Sequence, residues 1–388
     1  MKRNWVLYLL ALGVFVMATA EIVVSGILGM IAQDMNISIG MAGQLVTVYA
    51  LVIAIGSPIL MALTSRFERK NLLLLSYTVF IAANLIGYFS PNFAVLVAAR
   101  VVQAACASVF TIVALTVGSS LAEPGRQGSA IGTIMMGGGT ALAVGVPLGT
   151  LIGEYWGWRF VFLFILILAA IPTIGLAAAV PRQENKESVS ITSQLSVLRD
   201  RRLISGFLIT FFMVTGYQLM FTYIAPFLQQ TAGLSTAQIS AALFTCGIFA
   251  VIGSRTGGYG SDRWGIYLTL LASLLLHAAA LTVLPLMATT FAGALIILAL
   301  WIGSATMTIP VQQYYLISLA PESSGLSLGM NNSIFQLGMA VGAGAGGWAV
   351  NQTSVLNLGW FGAVIVLLGL IAAFYSFSLN KQPAMKVE

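Results

Sequence analysis

Charge is what this sequence has least of. Only 7% of its 388 residues are Asp, Glu, Lys or Arg, against 59% hydrophobic residues and a mean hydropathy of +0.97. So little polar surface cannot cover a soluble globule of 41.0 kDa, which excludes a cytosolic enzyme and leaves an integral membrane protein. Cysteine is sparse too. Cys106 and Cys246 lie far apart inside apolar runs, without the spacing of a zinc site, which argues against disulfide or metal roles. No Walker lysine loop, metal cluster or nucleophile triad is present, and the glycines of MGGGTALAVG have no Gly-Lys-Ser/Thr after them. The sequence therefore points away from an enzyme, a cofactor, a metal and nucleotide hydrolysis.

What the chain has instead is long apolar runs. We count twelve, at 5–30, 41–63, 71–90, 94–118, 128–152, 160–180, 203–227, 237–257, 266–287, 291–318, 326–349 and 358–379. Each approaches or exceeds the roughly 20 residues that cross about 30 Å of hydrocarbon as a helix. The expected fold is all-α, with twelve transmembrane helices. Met1-Lys2-Arg3 and Ala18-Thr19-Ala20 sketch a cleavable signal peptide, but the apolar run continues to Met30, so the first span is expected to be retained.

Positive charge gives the orientation. Lys2, Arg3, Arg66, Arg69, Lys70, Arg126, Arg182, Lys186, Arg199, Arg201, Arg202, Arg263, Lys381 and Lys386 fall in loops or tails of one parity, with Arg255 at a helix end on that side. Only Arg159 falls in a loop of the other parity. The positive-inside rule predicts that both termini are cytoplasmic, in a plasma membrane, here a bacterial cytoplasmic membrane. The net charge of +6 follows from this bias and calls for no nucleic-acid partner.

The longest polar stretch, residues 181–202, divides the spans into an N-terminal six-helix half (1–180) and a C-terminal one (203–388). It reads as a cytoplasmic linker. The halves echo each other: SRFERK is answered by SDRWG, and LAEPGRQGSAIG by LAPESSGLSLG, both at a separation of 197–198 residues. This predicts two pseudo-symmetric halves.

Within the apolar runs there is a single acid, Glu21. An ionised carboxylate in hydrocarbon costs at least about 2.5 kcal/mol, so it needs a partner, a watery cavity or a proton.

These features resemble the major facilitator superfamily of transporters. The octapeptide Gly258-Tyr259-Gly260-Ser261-Asp262-Arg263-Trp264-Gly265 is similar to the family's Gly-x-x-x-Asp-Arg-x-Gly loop between paired helices. Its first-half copy keeps Arg66, Arg69 and Lys70 but carries Met61, Ser65 and Glu68 at the glycine and aspartate positions. Arg100 matches the family's fourth-helix arginine. Gly145-Val146-Pro147-Leu148-Gly149 resembles the antiporter motif of the fifth helix, and Trp158-Arg159 follow as in many exporters. The resemblance covers essentially all twelve spans and implies a drug or metabolite exporter coupled to the proton gradient. Gly258, Asp262, Arg263, Gly265, Arg66 and Arg69 would then form the gating motif, and Gly145, Pro147 and Gly149 the bend of the fifth helix.

Counting from the span ends places Glu21 and Arg100 at similar depth, roughly 10 Å below the outer surface, where the two side chains could meet. Glu21 is expected to carry the proton and Arg100 to modulate it. His277, the one histidine, is expected to pack in the ninth span. The substrate site should lie between the halves near mid-depth. Its candidates are Gln44 and Tyr49, Tyr217, Gln218 and Tyr223, Gln312, Gln313 and Tyr314, and Asn331, Asn332 and Gln336. Amides and aromatics of this kind hydrogen-bond and stack on small neutral solutes. The repeat places Gln218 where the first half has Glu21.

The tenth and eleventh spans, with ISIGMAGQLVTVYAL, look most like bacterial purine base and nucleoside efflux proteins. Arabinose-type sugar exporters and chloramphenicol-type drug exporters share much of the pattern, and an uncoupled facilitator would use the same fold. The expected partners are a small-molecule substrate, protons and lipid, around a monomer.

Overall fold

The computed structural model describes residues 2–64, 67–121, 127–180, 200–320 and 324–379; of residues 2–4, 58, 61–62, 127–129 and 324–325 it describes the backbone alone. In the first half the helices are α1 (Lys2–Ile22), α2 (Val24–Asp34), α3 (Ile39–Thr64), α4 (Arg69–Tyr88), α5 (Phe93–Leu121), α6 (Gln127–Thr140), α7 (Val146–Trp156) and α8 (Arg159–Ala179). The second half has α9 (Arg201–Phe221), α10 (Ile224–Ala232), α11 (Thr236–Trp264), α12 (Ile266–Met287), α13 (Phe291–Leu319), α14 (Ser324–Gln352) and α15 (Leu358–Leu379). No strand occurs among the described residues.

Three of the membrane segments are broken helices. α1 passes to α2 through Val23, α6 to α7 through a π-turn at Ala141–Gly145, and α9 to α10 through Thr222 and Tyr223. Joined in this way, the helices make twelve segments, as the apolar runs predict. Eleven of them are long and apolar enough to cross a membrane. The twelfth, α14, has the length but carries Asn331, Asn332, Gln336, Asn351 and Gln352 among its glycines. Outward-facing Ile174, Leu286, Trp348 and Ile371 are each more than 60% exposed, an apolar coat suited to lipid rather than water.

Local chemistry explains the helix ends. Ser235 and Gln238 form a reciprocal capping box at the start of α11, and the Thr290 side chain accepts from Gly293 N–H at the start of α13. Asp200 caps α9 by accepting from Arg202 N–H at 2.8 Å. Most of the expected 181–202 linker, residues 181–199, lies outside the described residues, as does Arg66. The Gly258–Gly265 motif was expected to be a loop; instead α11 continues through it to Trp264, and the reversal falls on Gly265 alone at φ 87°. A side chain is strained there, so glycine does what a loop would otherwise have to do.

Small residues set the helix spacing. A Cβ added at Gly253 would overlap the Gly303 carbonyl, and one at Gly257 the Met307 carbonyl, so α11 and α13 touch backbone to backbone. The halves meet along α3 against α14, α6–α7 against α11, and α2 against α10. We call the end of the bundle bearing Lys2 and Leu379 the terminus face and the other the far face.

Candidate functional site

The site is built on the break in α1. The last turn of a helix leaves carbonyls to be satisfied from outside it. Arg100, on α5 and fully buried, reaches across to that turn: Nη1 donates to the Ala20 carbonyl at 2.7 Å and Nη2 to the Glu21 carbonyl at 3.3 Å. Nη1 also donates to Gln103 Oε1 at 3.1 Å, and the guanidinium carbon sits 4.1 Å from the Tyr49 ring centroid. A cation at a helix C-terminus is favoured by the helix dipole and, over a desolvated ring, by the π face as well. No ion pair joins the Glu21 and Arg100 side chains among the described residues. The two do come together at the same depth, but Arg100 is spent on the main chain of α1 and the carboxylate is left to face elsewhere.

It faces the other half. Glu21 is half-buried, and Gln336 Nε2 on α14 donates to its Oε1 at 3.4 Å. Around this pair, buried polar atoms without a hydrogen-bond partner gather: Gln336 Oε1, Tyr49 Oη, Gln103 Nε2, Arg100 Nε and, further along α3, Thr47 Oγ1. Buried polar groups in native proteins find partners in protein, water or ligand. Gln336 lies on the boundary between halves, with Tyr49, Arg100 and Gln103 behind Glu21 in the first half, a polar concentration that suits a small polar solute or water at its edge.

Beyond this level the far face is closed. A Cβ at Gly40 would overlap the Gly347 carbonyl, with Asn351 beside it, and one at Gly43 would overlap the Tyr223 hydroxyl. Tyr223 is itself fixed by donating to the Ala343 carbonyl at 2.9 Å. Gln44 lies against Gly347, Gly247 of α11 abuts the Ala143 backbone, and Thr236 donates to Glu154 Oε2 at 2.7 Å across the halves.

Towards the terminus face the same helix faces separate. On α3 the stripe Gly40, Gln44, Thr47 continues into Leu51 and Ile55, which are 39% and 54% exposed. On α11 Gly247 is followed by Val251, 57% exposed, and Ala143 of the π-turn is preceded on α6 by Met136, 60% exposed. The cleft thus opens at the terminus face and ends near Glu21.

The other expected site residues fall in several places. Gln218 is buried and donates to Thr222 Oγ1 at 3.0 Å; Gln312 donates to the Gly206 carbonyl at 2.6 Å; Asn331 accepts from Thr210 at 2.7 Å. All three bonds lie within the second half. Tyr217 is half-buried in an aromatic group with Phe221, Trp301 and His277, its ring stacked on Phe221 at 5.2 Å and 14°. Both His277 nitrogens lack hydrogen-bond partners among the described residues. Gln313, Tyr314 and Asn332 are exposed. In the fifth segment Gly145 faces Thr19 and Gly149 faces Val23 so closely that no Cβ would fit, which seats the bend of α6–α7 against the break in α1. Gly258 has open space around it, and Asp262 and Arg263 are exposed without a hydrogen bond or ion pair among the described residues; Arg69 has an interaction partner.

Two features escaped the sequence reading. Gln103, one turn after Arg100, is fully buried at the site; its signal was an amide at helical spacing from an intramembrane arginine. Asp34, beyond the apolar run that ends at Met30, pairs with Arg159 at 2.5 Å and accepts from the Trp158 indole at 3.1 Å. The Arg159 bond, then the indole N–H, hold this carboxyl below the usual carboxylate range.

Comparison with known proteins agrees with this architecture. The sequence pattern of the Major Facilitator Superfamily matches residues 10–343. The uncharacterized MFS-type transporter YbcL of Bacillus subtilis (strain 168) is 37% identical over 386 residues, covering 100% of this chain and 99% of its own. YtbD of the same organism, also an uncharacterized MFS-type transporter, is 32% identical over 378 residues, 96% of this chain and 95% of its own. Among solved structures, a bacterial homologue of the human lysosomal transporter Spinster, inward-facing and unoccupied, superposes with TM-score 0.74 at 15% identity over 99% of both chains. The human organic anion transporter MFSD10 gives 0.70 at 15% identity, covering 96% of this chain and 99% of its own.

Proposed function

The chain belongs to the Major Facilitator Superfamily and is a membrane transporter, not an enzyme, and from that premise we propose that it exports a small, weakly polar solute in exchange for protons. A purine base or nucleoside is the favoured cargo. The observation that carries the reading is the position of Glu21: a carboxylate at the inner end of a one-sided cleft, on the boundary between the halves, below a closed far face. The positive-inside bias supports a cytoplasmic terminus face in the bacterial cell membrane, which makes this conformation open to the cytoplasm.

The cycle follows from that geometry. Solute enters from the terminus face and meets Gln336 beside Glu21, with the unpartnered groups of Tyr49 and Gln103 buried behind them. A charged carboxylate and a neutral acid differ in what they can bond, so loading and protonation compete for the same place. Alternate closure of the two faces carries solute out and the proton in. One proton moving down about 100 mV supplies roughly 2.3 kcal/mol, enough for about a fiftyfold solute gradient at full coupling.

The experiment is uptake into everted membrane vesicles of purines, nucleosides, pentoses and chloramphenicol-type drugs, with and without a pH gradient. We expect a purine or nucleoside to be driven uphill, and Glu21→Gln to abolish uphill uptake while leaving downhill exchange. Uphill uptake intact in that variant refutes proton coupling through Glu21. A specific observation favours a second cargo: the mouth residues Leu51, Ile55, Met136 and Val251 are all apolar, as a hydrophobic drug would require. Drug transport alone would replace the purine reading, and transport indifferent to the pH gradient would point to a facilitator.

A further inference from the structure

Gln336 touches Glu21 with only half of its amide. Its Nε2 donates to the carboxylate at 3.4 Å, a long bond, while its Oε1 is buried with no donor. A deprotonated carboxylate can do nothing for that oxygen, because it only accepts. A carboxylic acid can do both: its carbonyl accepts the amide N–H while its O–H donates to the amide carbonyl, closing a two-bond ring. If the amide is turned over, Oε1 faces the carboxyl directly, an arrangement that only the protonated acid satisfies.

We propose that Gln336 is a positioning residue that reads the protonation of Glu21 across the boundary between halves, by pairing with the acid through two hydrogen bonds and with the carboxylate through one. This rests on the proton-coupled reading above and adds to it the group by which the second half senses a proton held by the first. The proton comes from water in the cleft and stays on Glu21; no bond other than O–H forms or breaks. A solute that takes the Gln336 amide for itself removes the acid's second partner, so loading favours release of the proton.

Among the described residues Gln336 is the one side chain hydrogen-bonded to the Glu21 carboxyl; Tyr49, the other polar group close by, makes no such bond. The titratable and charged groups on elements packed against α1 are Arg100 and Cys106 on α5, Tyr49 on α3, Arg69, Lys70, Tyr77 and Tyr88 on α4, Asp34 on α2 and Arg159 on α8; α6, the π-turn and α14 carry none. Arg100 is committed to the Ala20 and Glu21 carbonyls, Tyr77 donates to Gly13, and Asp34 and Arg159 pair with each other near the far face. The pair also exists only once. Shifted by the 197–198 residues of the repeat, Gln336 falls on Gly138 or Gly139, and Glu21 falls on Gln218 or its neighbour, so the device has no mirror image in the other half.

Infrared difference spectra of the full-length protein in phosphatidylethanolamine–phosphatidylglycerol vesicles, titrated from acid to alkaline pH, test this directly. The Glu21 acid is the carbonyl band that disappears in Glu21→Gln. In Gln336→Leu this band should persist and move to higher wavenumber, because an acid without its amide partner has a stiffer C=O bond. Gln336→Met serves the same purpose should the leucine variant fold poorly. A band that titrates but does not move in either variant overturns the role of Gln336 and leaves proton coupling standing. Absence of any band assignable to Glu21 overturns proton binding at Glu21 and this inference with it.

Discussion

Replacing Arg100 by lysine separates two roles that alanine would confound. If Arg100 supplies only positive charge, lysine should suffice. The structure asks for more: a planar fork that donates at 2.7 and 3.3 Å to two successive carbonyls, a third bond to Gln103 at 3.1 Å, and a flat face 4.1 Å from the Tyr49 centroid. An ammonium on a shorter stem cannot span both carbonyls and lie on the ring as well. Losing one buried hydrogen bond, about 1 kcal/mol net, and part of a desolvated cation–π contact, about another 1 kcal/mol, gives about 2 kcal/mol for Arg100→Lys. Alanine leaves the two carbonyls and Gln103 Oε1 without a donor and should cost about 3–5 kcal/mol, at about 1–3 kcal/mol for each buried acceptor left unsatisfied. Cys106 and Cys246 are both buried and free, so a thiol-reactive fluorophore reports opening of the bundle without added labels. With an unfolding entropy of about 2.1 cal/mol/K per residue, these losses lower Tm by about 2–3 and 4–6 °C; helices that persist in detergent reduce that entropy and enlarge both shifts. A lysine variant with the parent's Tm would refute the reasoning, because charge alone would then hold the break in α1.

Two further outcomes follow from other parts of the molecule. Asp34 has a folded pKa below its ordinary 3.8, so the stability its pairing gives is present above that value and lost as pH falls through the folded pKa; Arg159→Ala should lower Tm at neutral pH by an amount matching about 0.2–1 kcal/mol for the ion pair, a difference that shrinks as pH falls through that folded pKa to what the Ser90 carbonyl and the Trp158 ring contribute. Gly253→Ala and Gly257→Ala force a methyl against the carbonyls of α13 and should each cost about 1–3 kcal/mol, whereas Gly258→Ala has open space and should gain about 0.4–1 kcal/mol in thermal scans. A transport defect in Gly258→Ala despite that gain would mark a motif used in motion rather than in packing.

The membrane segments were legible because hydropathy is a local property and a lipid-spanning helix must satisfy its own backbone. The length of α11 was less so: GYGSDRW reads as polar loop, but all of it up to Trp264 can extend a helix past the apolar run, and only Gly265 has a conformation that forbids continuation. The break at Val23 has no proline or glycine at the position to announce it, since it is seated by Thr19 and Val23 against Gly145 and Gly149 of a distant segment. Depth alone brought Glu21 and Arg100 to one level. It did not show that the guanidinium would turn to main-chain carbonyls, nor that the carboxylate would find Gln336, a partner 315 residues away. Side-chain periodicity fixes which face of a helix is buried, and says little about which of several polar atoms on that face will meet.

The polarity of α14 has a consequence for how the protein is made. Biosynthetic insertion admits segments one after another according to their apparent free energy of transfer, and asparagines and glutamines near the centre of a helix count against entry. α14, with Asn331, Asn332 and Gln336, falls short of the apolarity that the other eleven segments reach. Its main neighbours, α3 and α9, are both synthesised before it. With α1 they can therefore wait in the bilayer as a template, α9 offering Thr210 to Asn331 and α1 offering Glu21 to Gln336 when α14 leaves the ribosome. The polar groups proposed to serve transport would thus make the eleventh segment a late and dependent arrival, one whose integration reports that the first half is already in place.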